Sequence, residues 1–485
     1  MRCWFRVGCL VLLSGRLFAQ DQALLAKSKQ AHQDMEAGRF GDAAELYREL
    51  VKAIPDEPRL RLNLAIALDK AGQPAEAIPE LQAVVSAEPK LEAAWFLLGV
   101  ANAQLKRPRD AIGPLRQAVQ LNQSNWRALF ELADAELSSG EPTAAAQDFG
   151  RLAKNQPDLA KAWEGLGLAY LTLSDRAIMS IKEVDVHSPY WYALLAQTRV
   201  SEGDPDSAAG LYLRAIERDP QIPGLHAALA AVYTELDRAS DAAKEEQLEA
   251  ALPKANCAAA SARCLFQRGD WQGALNESST RPTIANRYWA SLASRKLAEQ
   301  SLSHLSKLAA SGEVHELLAD SAQRAGRRLD AIAEWRKAIE AEPGNARLEG
   351  RLAESLYRAR EYPEAQRRLE ALVKAQPENP DWQYLLGVTL ARQSREEEAL
   401  PFLEKAVRLE PDFLPAQENL GRVYLKLGQP AKAVTCLERA LPIDDGSISF
   451  SLSSAYRRLG RREEERRAFA RYQQMQRDLT RSQVR

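Results

Sequence analysis

Residues 418–441 read ENLGRVYLKLGQPAKAVTCLERAL, and a looser version, EAAWFLLGVANAQLKRPRDAIGPLRQAV, occupies residues 92–119. In each, a small residue (Gly421, Gly99) sits among apolar residues at helical spacing. A proline then opens a second helical stretch (Pro430, Pro108). A second small residue (Ala433, Ala111) follows twelve positions after the first. The pattern reads as two amphipathic helices joined by a tight turn.

Working outward, the same hairpin fills nearly the whole chain. Ala43, Ala77, Ala111 and Ala145 recur every 34 residues, as do Ala208 and Ala242, and then Ala331, Ala365, Ala399 and Ala433. Twelve positions ahead runs a second series that includes Ala31, Ala65, Gly99, Ala133 and Gly167, and later Gly387 and Gly421. Twelve positions behind runs a third, of prolines: Pro55, Pro89, Pro157, Pro220, Pro343, Pro377 and Pro411. A fixed period of this size signals a repeat architecture. It also explains how 485 residues fold without one large core, because each unit buries its apolar face on its neighbours.

Each series has a mechanical reason. Closely packed antiparallel helices need Ala or Gly at the crossing, because a larger side chain would hold the backbones apart. Glycines at 38, 72, 140, 203, 326 and 428 stand where a left-handed helix cap is expected. Pro74, Pro108, Pro142, Pro205 and Pro430 follow two residues after the break, where proline suits the first turn of the next helix.

The pattern breaks in three places. The unit at 160 is five residues short, so its second helix, around Asp175 to Val186, is expected to lose more than a turn. Residues 255–311 read as two worn repeats: Ala262, Trp271 and Ala274 keep one, and Arg287 to Leu308 gives a poorer helix pair. In the last unit, from Gly446, Glu465 replaces the second small residue, as suits the end of a stack. Ten arginines against four acids over 457–485 give a local charge of about +6: a solvated capping helix, or a contact for an anionic partner or membrane surface. The organisation expected is a signal peptide (1–20), an N-terminal array (24–254), degenerate repeats (255–311), a C-terminal array (312–445) and a terminal repeat with a basic tail (446–485).

MRCWFRVGCLVLLSGRLFAQ begins with Arg2 and Arg6, continues through an apolar run from Val7 to Leu13 and reaches Leu17-Phe18-Ala19. That is the pattern of a secretory signal peptide cleaved near Ala19 or Gln20, which predicts a periplasmic or secreted protein. No later run is long and apolar enough to span a bilayer. Removing these residues takes the net charge from −1 to −4, which argues against general nucleic-acid binding. Of the cysteines then left, Cys257 and Cys264 would lie about 10 Å apart on a single helix. That is beyond disulfide reach, so both are expected reduced.

No motif for catalysis, cofactor or metal emerges. His315-Glu316 begins like a zinc-protease helix, but Ala319 stands where the second histidine belongs. The five histidines have no ligand spacing, and the mature cysteines form no CxxC pair. GxGxxG, the P-loop and GxSxG are absent.

The spacing of Trp163, Leu166, Gly167 and Tyr170, with Ala433, Leu437, Ala440 and Pro411 in neighbouring copies, resembles the tetratricopeptide repeat, over residues 24 to about 479. The resemblance implies an all-α fold, an α-solenoid of antiparallel helix pairs wound into a right-handed superhelix. It also implies a groove lined by first helices that holds peptide segments. Projected onto that geometry, the N-terminal half turns Leu62, Ile66, Phe96, Val100, Phe130, Leu168 and Leu171 inward, with Arg59, Arg127 and Lys161 at the edge. Such an apolar strip suits an amphipathic helix or extended segment. Alternatively, these side chains simply pack between adjacent first helices. The C-terminal half turns mixed charge inward, from Glu316 and Asp320 to Glu418 and Arg422. Arg59, Asn63 and Lys161 depart from the paired lysines and asparagines with which some members clamp a C-terminal carboxylate. The expected role is a non-catalytic protein-binding scaffold. The other readings are an accessory arm of an envelope enzyme or secretion complex, and an enzyme built from residues scattered across the stack.

Overall fold

A computed structural model describes residues 22–201, 203–253, 257, 261–308, 311–324 and 326–484. The expected signal segment, 1–20, lies outside the described residues. Helices make up the fold, with no strand among the described residues.

The first nine are α1 (22–36), α2 (Phe40–Ala53), α3 (Pro58–Lys70), α4 (Pro74–Ala87), α5 (Glu92–Gln104), α6 (Pro108–Leu121), α7 (Trp126–Ser139), α8 (Pro142–Asn155) and α9 (Ala160–Val184). Then come α10 (Pro189–Ser201), α11 (Pro205–Arg218), α12 (Leu225–Glu235), α13 (Ala239–Ala251), α14 (Ala262–Gln267), α15 (Trp271–Thr280) and α16 (Ile284–Leu305). The rest are α17 (Gly312–Arg324), α18 (Arg328–Ala341), α19 (Ala346–Arg358), α20 (Tyr362–Ala375), α21 (Pro380–Arg392), α22 (Glu396–Leu409), α23 (Leu414–Lys426), α24 (Pro430–Ala440), α25 (Ser447–Arg458) and α26 (Arg462–Val484). By packing, residues through Ala177 form one compact unit with Leu265–Thr280 and Trp289–Leu302. Ile178–Cys264, Arg281–Tyr288 and the chain from Ser303 onward form a second.

Both units are α-solenoids of antiparallel helix pairs, and the small-residue lattice explains why. Ala43, Ala77, Ala111, Ala145, Ala365, Ala399 and Ala433 are fully buried. A Cβ placed on Gly99 would lie 2.4 Å from Leu115 Cγ, one on Gly387 2.7 Å from Leu403 Cγ, and one on Gly421 2.6 Å from Leu437 Cγ. Anything larger than glycine there would force the facing leucine to shift. The third series of prolines has a further use. Each of five presents its carbonyl to a side chain six residues later: Arg61 to Pro55 (3.1 Å), Trp95 to Pro89 (2.9 Å), Trp163 to Pro157 (2.8 Å), Gln383 to Pro377 (2.7 Å) and Gln417 to Pro411 (2.9 Å). The loop between units is thereby fastened to the helix that follows it, and a carbonyl near a helix end gains a partner.

Three expectations are corrected. The unit at 160 keeps no second helix of its own, because α9 runs unbroken for 25 residues. The chain has neither glycine nor proline between Gly167 and Pro189, so nothing turns it. The place of the missing helix is taken by α16, which is one long helix and not a pair. A Cβ on Gly167 would lie 3.2 Å from Leu302 and 3.8 Å from the Ala298 carbonyl oxygen. Gly387 stands in the same relation to Leu403 and Ala399, and Gly421 to Leu437 and Ala433. Buried Ser294 and Ser301 on α16 donate to the carbonyls of Ala290 and Leu297 within the same helix, both at 2.8 Å, so they bury no unsatisfied hydroxyl.

The third correction concerns the cysteines. Cys257 and Cys264 form a disulfide, with Cα atoms 5.6 Å apart. Cys257 lies in a turn, and α14 begins only at Ala262, so the rise along a single helix never separates them.

Candidate peptide-binding groove

In the first unit, the first helices α3, α5, α7 and the start of α9 carry the ten residues singled out from the sequence. Leu62, Ile66, Phe96, Val100, Phe130 and Leu171 are half-buried, and Arg59, Arg127 and Lys161 are exposed. Leu168, in contrast, is 8% exposed and belongs to the interior. The half-buried residues divide by what they touch. Leu62, Phe96 and Phe130 pack against the buried clusters. The Phe130 ring meets that of buried Phe149 edge-on at 5.9 Å. Ile66, Val100 and Leu171 are not among the residues packed on those clusters. Ile66 and Val100 are therefore apolar positions of the strip that the neighbouring clusters do not claim.

Charge frames this strip. Asn125 caps α7 by accepting from the backbone N–H groups of Arg127 and Ala128, both at 3.1 Å. The Arg127 guanidinium lies 5.4 Å from the Trp126 ring centroid. Glu131, on the same helix, has its carboxyl pushed up by burial and by Asp134 beside it, and Lys161 on α9 pulls it back. Further round α7, Glu136 is buried and bonds Arg116 at 3.0 Å, and burial pushes its carboxyl up as well.

In the second unit, the charged positions expected to face inward neutralise one another, some from helix to helix and some within one helix. Glu316 on α17 pairs with Arg347 on α19, and Asp320 with Arg351. Glu354 pairs with Arg358 at 2.7 Å and Glu418 with Arg422 at 2.9 Å. Arg392 Nε donates to the Tyr357 hydroxyl at 3.4 Å, and Arg324 is exposed. Beside this ladder, burial pushes the Tyr384 phenol up to about 12. Between α19 and α21 the face opens into a notch of about 590 Å³ over Gly350, which the sequence reading did not anticipate. Its signal was a glycine in mid-helix with no capping role.

Among the described residues, no group of three or more His, Cys, Asp or Glu is placed to hold a metal ion. Nor is any helix of the described residues long and apolar enough to cross a membrane.

Two family models, each described as "Tetratricopeptide repeat", match the chain. One matches residues 107–158, 130–176, 194–260, 317–365 and 351–412, and the other 34–101 and 390–476. The stretches left unmatched between 34 and 476 are 102–106, 177–193 and 261–316. The last two are where the fifth unit lacks its second helix and where its substitute arrives. Among curated proteins, Superkiller complex protein 3 of Homo sapiens is 28% identical over 110 residues, which is 23% of this chain and 7% of that protein. Its Mus musculus counterpart is 29% identical over the same length, again 7% of that protein. Among solved structures, a crystal structure of MamA protein is 21% identical, covering 41% of this chain and 94% of that one with a TM-score of 0.30. The structure of Naa15/Naa10 bound to HypK-THB is 14% identical, covering 95% of this chain and 79% of that one with a TM-score of 0.32.

Proposed function

The chain belongs to the tetratricopeptide repeat family, and from that premise we propose that it is a non-catalytic scaffold holding a peptide or protein segment against the first helices of its N-terminal unit. The observation that carries this reading is the pair Ile66 on α3 and Val100 on α5: partly exposed apolar side chains one repeat apart at the same register position, not among the residues packed on the neighbouring buried clusters, with Leu171 on α9 partly exposed as well. The exposed cations Arg59 on α3, Arg127 on α7 and Lys161 on α9 suit the carboxylates of a segment laid along the first helices.

A photo-crosslinking residue at Val100, in cells making the full chain, tests the reading. Adducts are expected to form there and to disappear when Ile66→Glu and Leu171→Glu are added. They are not expected from Gly113, whose surroundings are open. Equal adducts from the two positions, or none from Val100, would remove the groove from the account. Phe130 is not the residue to charge in such a test, because its ring packs on Phe149 and its loss would unsettle the fold.

The protein is proposed to work outside the cytoplasm. The N-terminal pattern supports this, and so does the Cys257–Cys264 disulfide, since such bonds persist in oxidising compartments. Fractionation followed by mass determination of the mature chain tests it: the expected species begins near residue 20, and an intact chain confined to the cytoplasm would rule it out. The basic α26 is proposed as a contact for an anionic partner, because Arg462, Arg466 and Arg477 have no carboxylate partner among the described residues.

A further inference from the structure

On the first helices of the second unit, one register position is occupied in turn by Glu316, Gly350, Tyr384 and Glu418. Where it is glycine, the face is notched. A Cβ on Gly350 would lie 3.0 Å from Trp382 Nε1, so the indole of the next first helix leans over the gap. Tyr384 and Phe413 form the far wall, with ring centroids 4.9 Å apart, and Asp381 stands at the rim.

What the notch can bind depends on which of its polar groups are already committed. Arg347 and Arg351 also border it, but Arg347 is held by both oxygens of Glu316 and Arg351 by Asp320, with Glu354 at 3.3 Å. Asp381 has no cationic partner among the described residues. The indole is uncommitted too. In α5 and α9, Trp95 and Trp163 give their Nε1–H to a proline carbonyl. In α21 that task falls to Gln383, and the tryptophan stands one residue earlier, with no acceptor for its Nε1–H among the described residues.

We propose that this notch takes the side chain of an arginine from an extended peptide segment, its guanidinium lying on the aromatic wall and paired with Asp381, and a main-chain carbonyl of the segment accepting from Trp382 Nε1. A planar cation gains from aromatic faces and from a carboxylate at once. An acidic side chain would meet two arginines that already have partners and would face Asp381. An aliphatic one would cover Asp381 and leave it unpaired, which is costly. The proposal rests on the scaffold reading but lies in a different unit from the apolar strip, so the two fail separately.

The test titrates N-acetyl-arginine amide into the full chain and follows the Trp382 indole N–H resonance, assigned by its loss in Trp382→Phe. A saturable shift is expected. Binding should weaken about tenfold or more in Asp381→Asn, which removes the charge at the rim. It should weaken likewise in Gly350→Leu, which fills the notch, and not in Gly113→Leu, at an open helical position. Ile66→Glu with Leu171→Glu should leave the titration unchanged. The proposal is overturned if the resonance does not move, if N-acetyl-glutamate amide or N-acetyl-leucine amide moves it equally, or if Asp381→Asn binds like the parent chain. Asp381→Asn keeps the test decisive should Gly350→Leu disturb the fold.

Discussion

Gly167 on α9 packs against Leu302 on α16 as Gly421 packs against Leu437 in the next helix of its own repeat. A helix from far down the chain thus completes the fifth pair of the first unit. Leu302→Ala is therefore expected to destabilise that unit by about 2 kcal/mol, the lower end for an incompletely buried leucine. Hydrogen exchange is the readout: amides of residues 160–177 should exchange faster in the variant, and those of α3 and α4 should not. A chain ending at residue 254 should show the same loss in stronger form. Unchanged protection of 160–177 in both would mean that α16 does not complete the repeat.

That pairing marks the limit of what was legible in the sequence. The lattice of Ala and Gly was readable because each unit repeats the same steric problem, and the glycine turns because only one backbone conformation closes them. Contacts between residues as distant as Gly167 and Leu302 carry no local signature, although the five-residue deficit at 160 was its trace. The disulfide escapes a reading of spacing for a related reason: helical rise does not govern Cys257, which lies outside the helix. At the candidate site, spacing alone does not tell which apolar positions the core claims, since Phe130 and Ile66 look alike until Phe149 is seen beside one of them. The notch over Gly350 depends on where the Trp382 indole leans, which spacing alone does not specify.

The interhelix turns hold a local inefficiency. Gly72, Gly326 and Gly428 adopt positive φ, and in sister repeats Lys106 (φ 56°) and Arg360 (φ 67°) are held in the same region. A left-handed backbone costs a non-glycine residue about 1 kcal/mol, partly offset because glycine loses more chain entropy on folding. Arg360→Gly should therefore stabilise its repeat by about 0.5 kcal/mol. Arg358→Gly, two residues earlier and inside α19, should destabilise it by about 1 kcal/mol. Opposite shifts of the local melting transition are the expected result, and shifts of the same sign would contradict the backbone argument.

The cysteines separate cleanly by chemistry. Cys436 is buried, and burial pushes its thiol up to about 11, so little nucleophilic thiolate forms near neutral pH. Native protein lacking residues 1–20 should show almost no reaction with a thiol reagent. Unfolded without reductant it should show one thiol, and after reduction three. Replacing Cys257 and Cys264 together by serine should cost about 2 kcal/mol, as expected for a short closed loop. Three thiols before reduction would show that the bond does not form.

Alkaline stability follows from two phenols, Tyr384 partly buried and Tyr456 buried. Burial holds Tyr384 protonated up to about 12, and burial with the hydrogen bond to Glu438 (2.6 Å) does the same for Tyr456. In the unfolded chain both titrate near their ordinary value of 10.0. Below that value both states carry the phenolic proton, so these groups make no difference to the pH dependence. Between about pH 10 and about pH 12 the unfolded chain has released protons that the folded chain still holds, so stability falls as pH rises. The buried Cys436 thiol adds a loss of the same sign. The second unit, which contains all three groups, should therefore melt at progressively lower temperature across this window. Tyr384→Phe with Tyr456→Phe should flatten the decline without steepening it below pH 9, since the replaced groups are neutral there. A decline as steep in the double variant as in the parent would show that other groups set the alkaline limit.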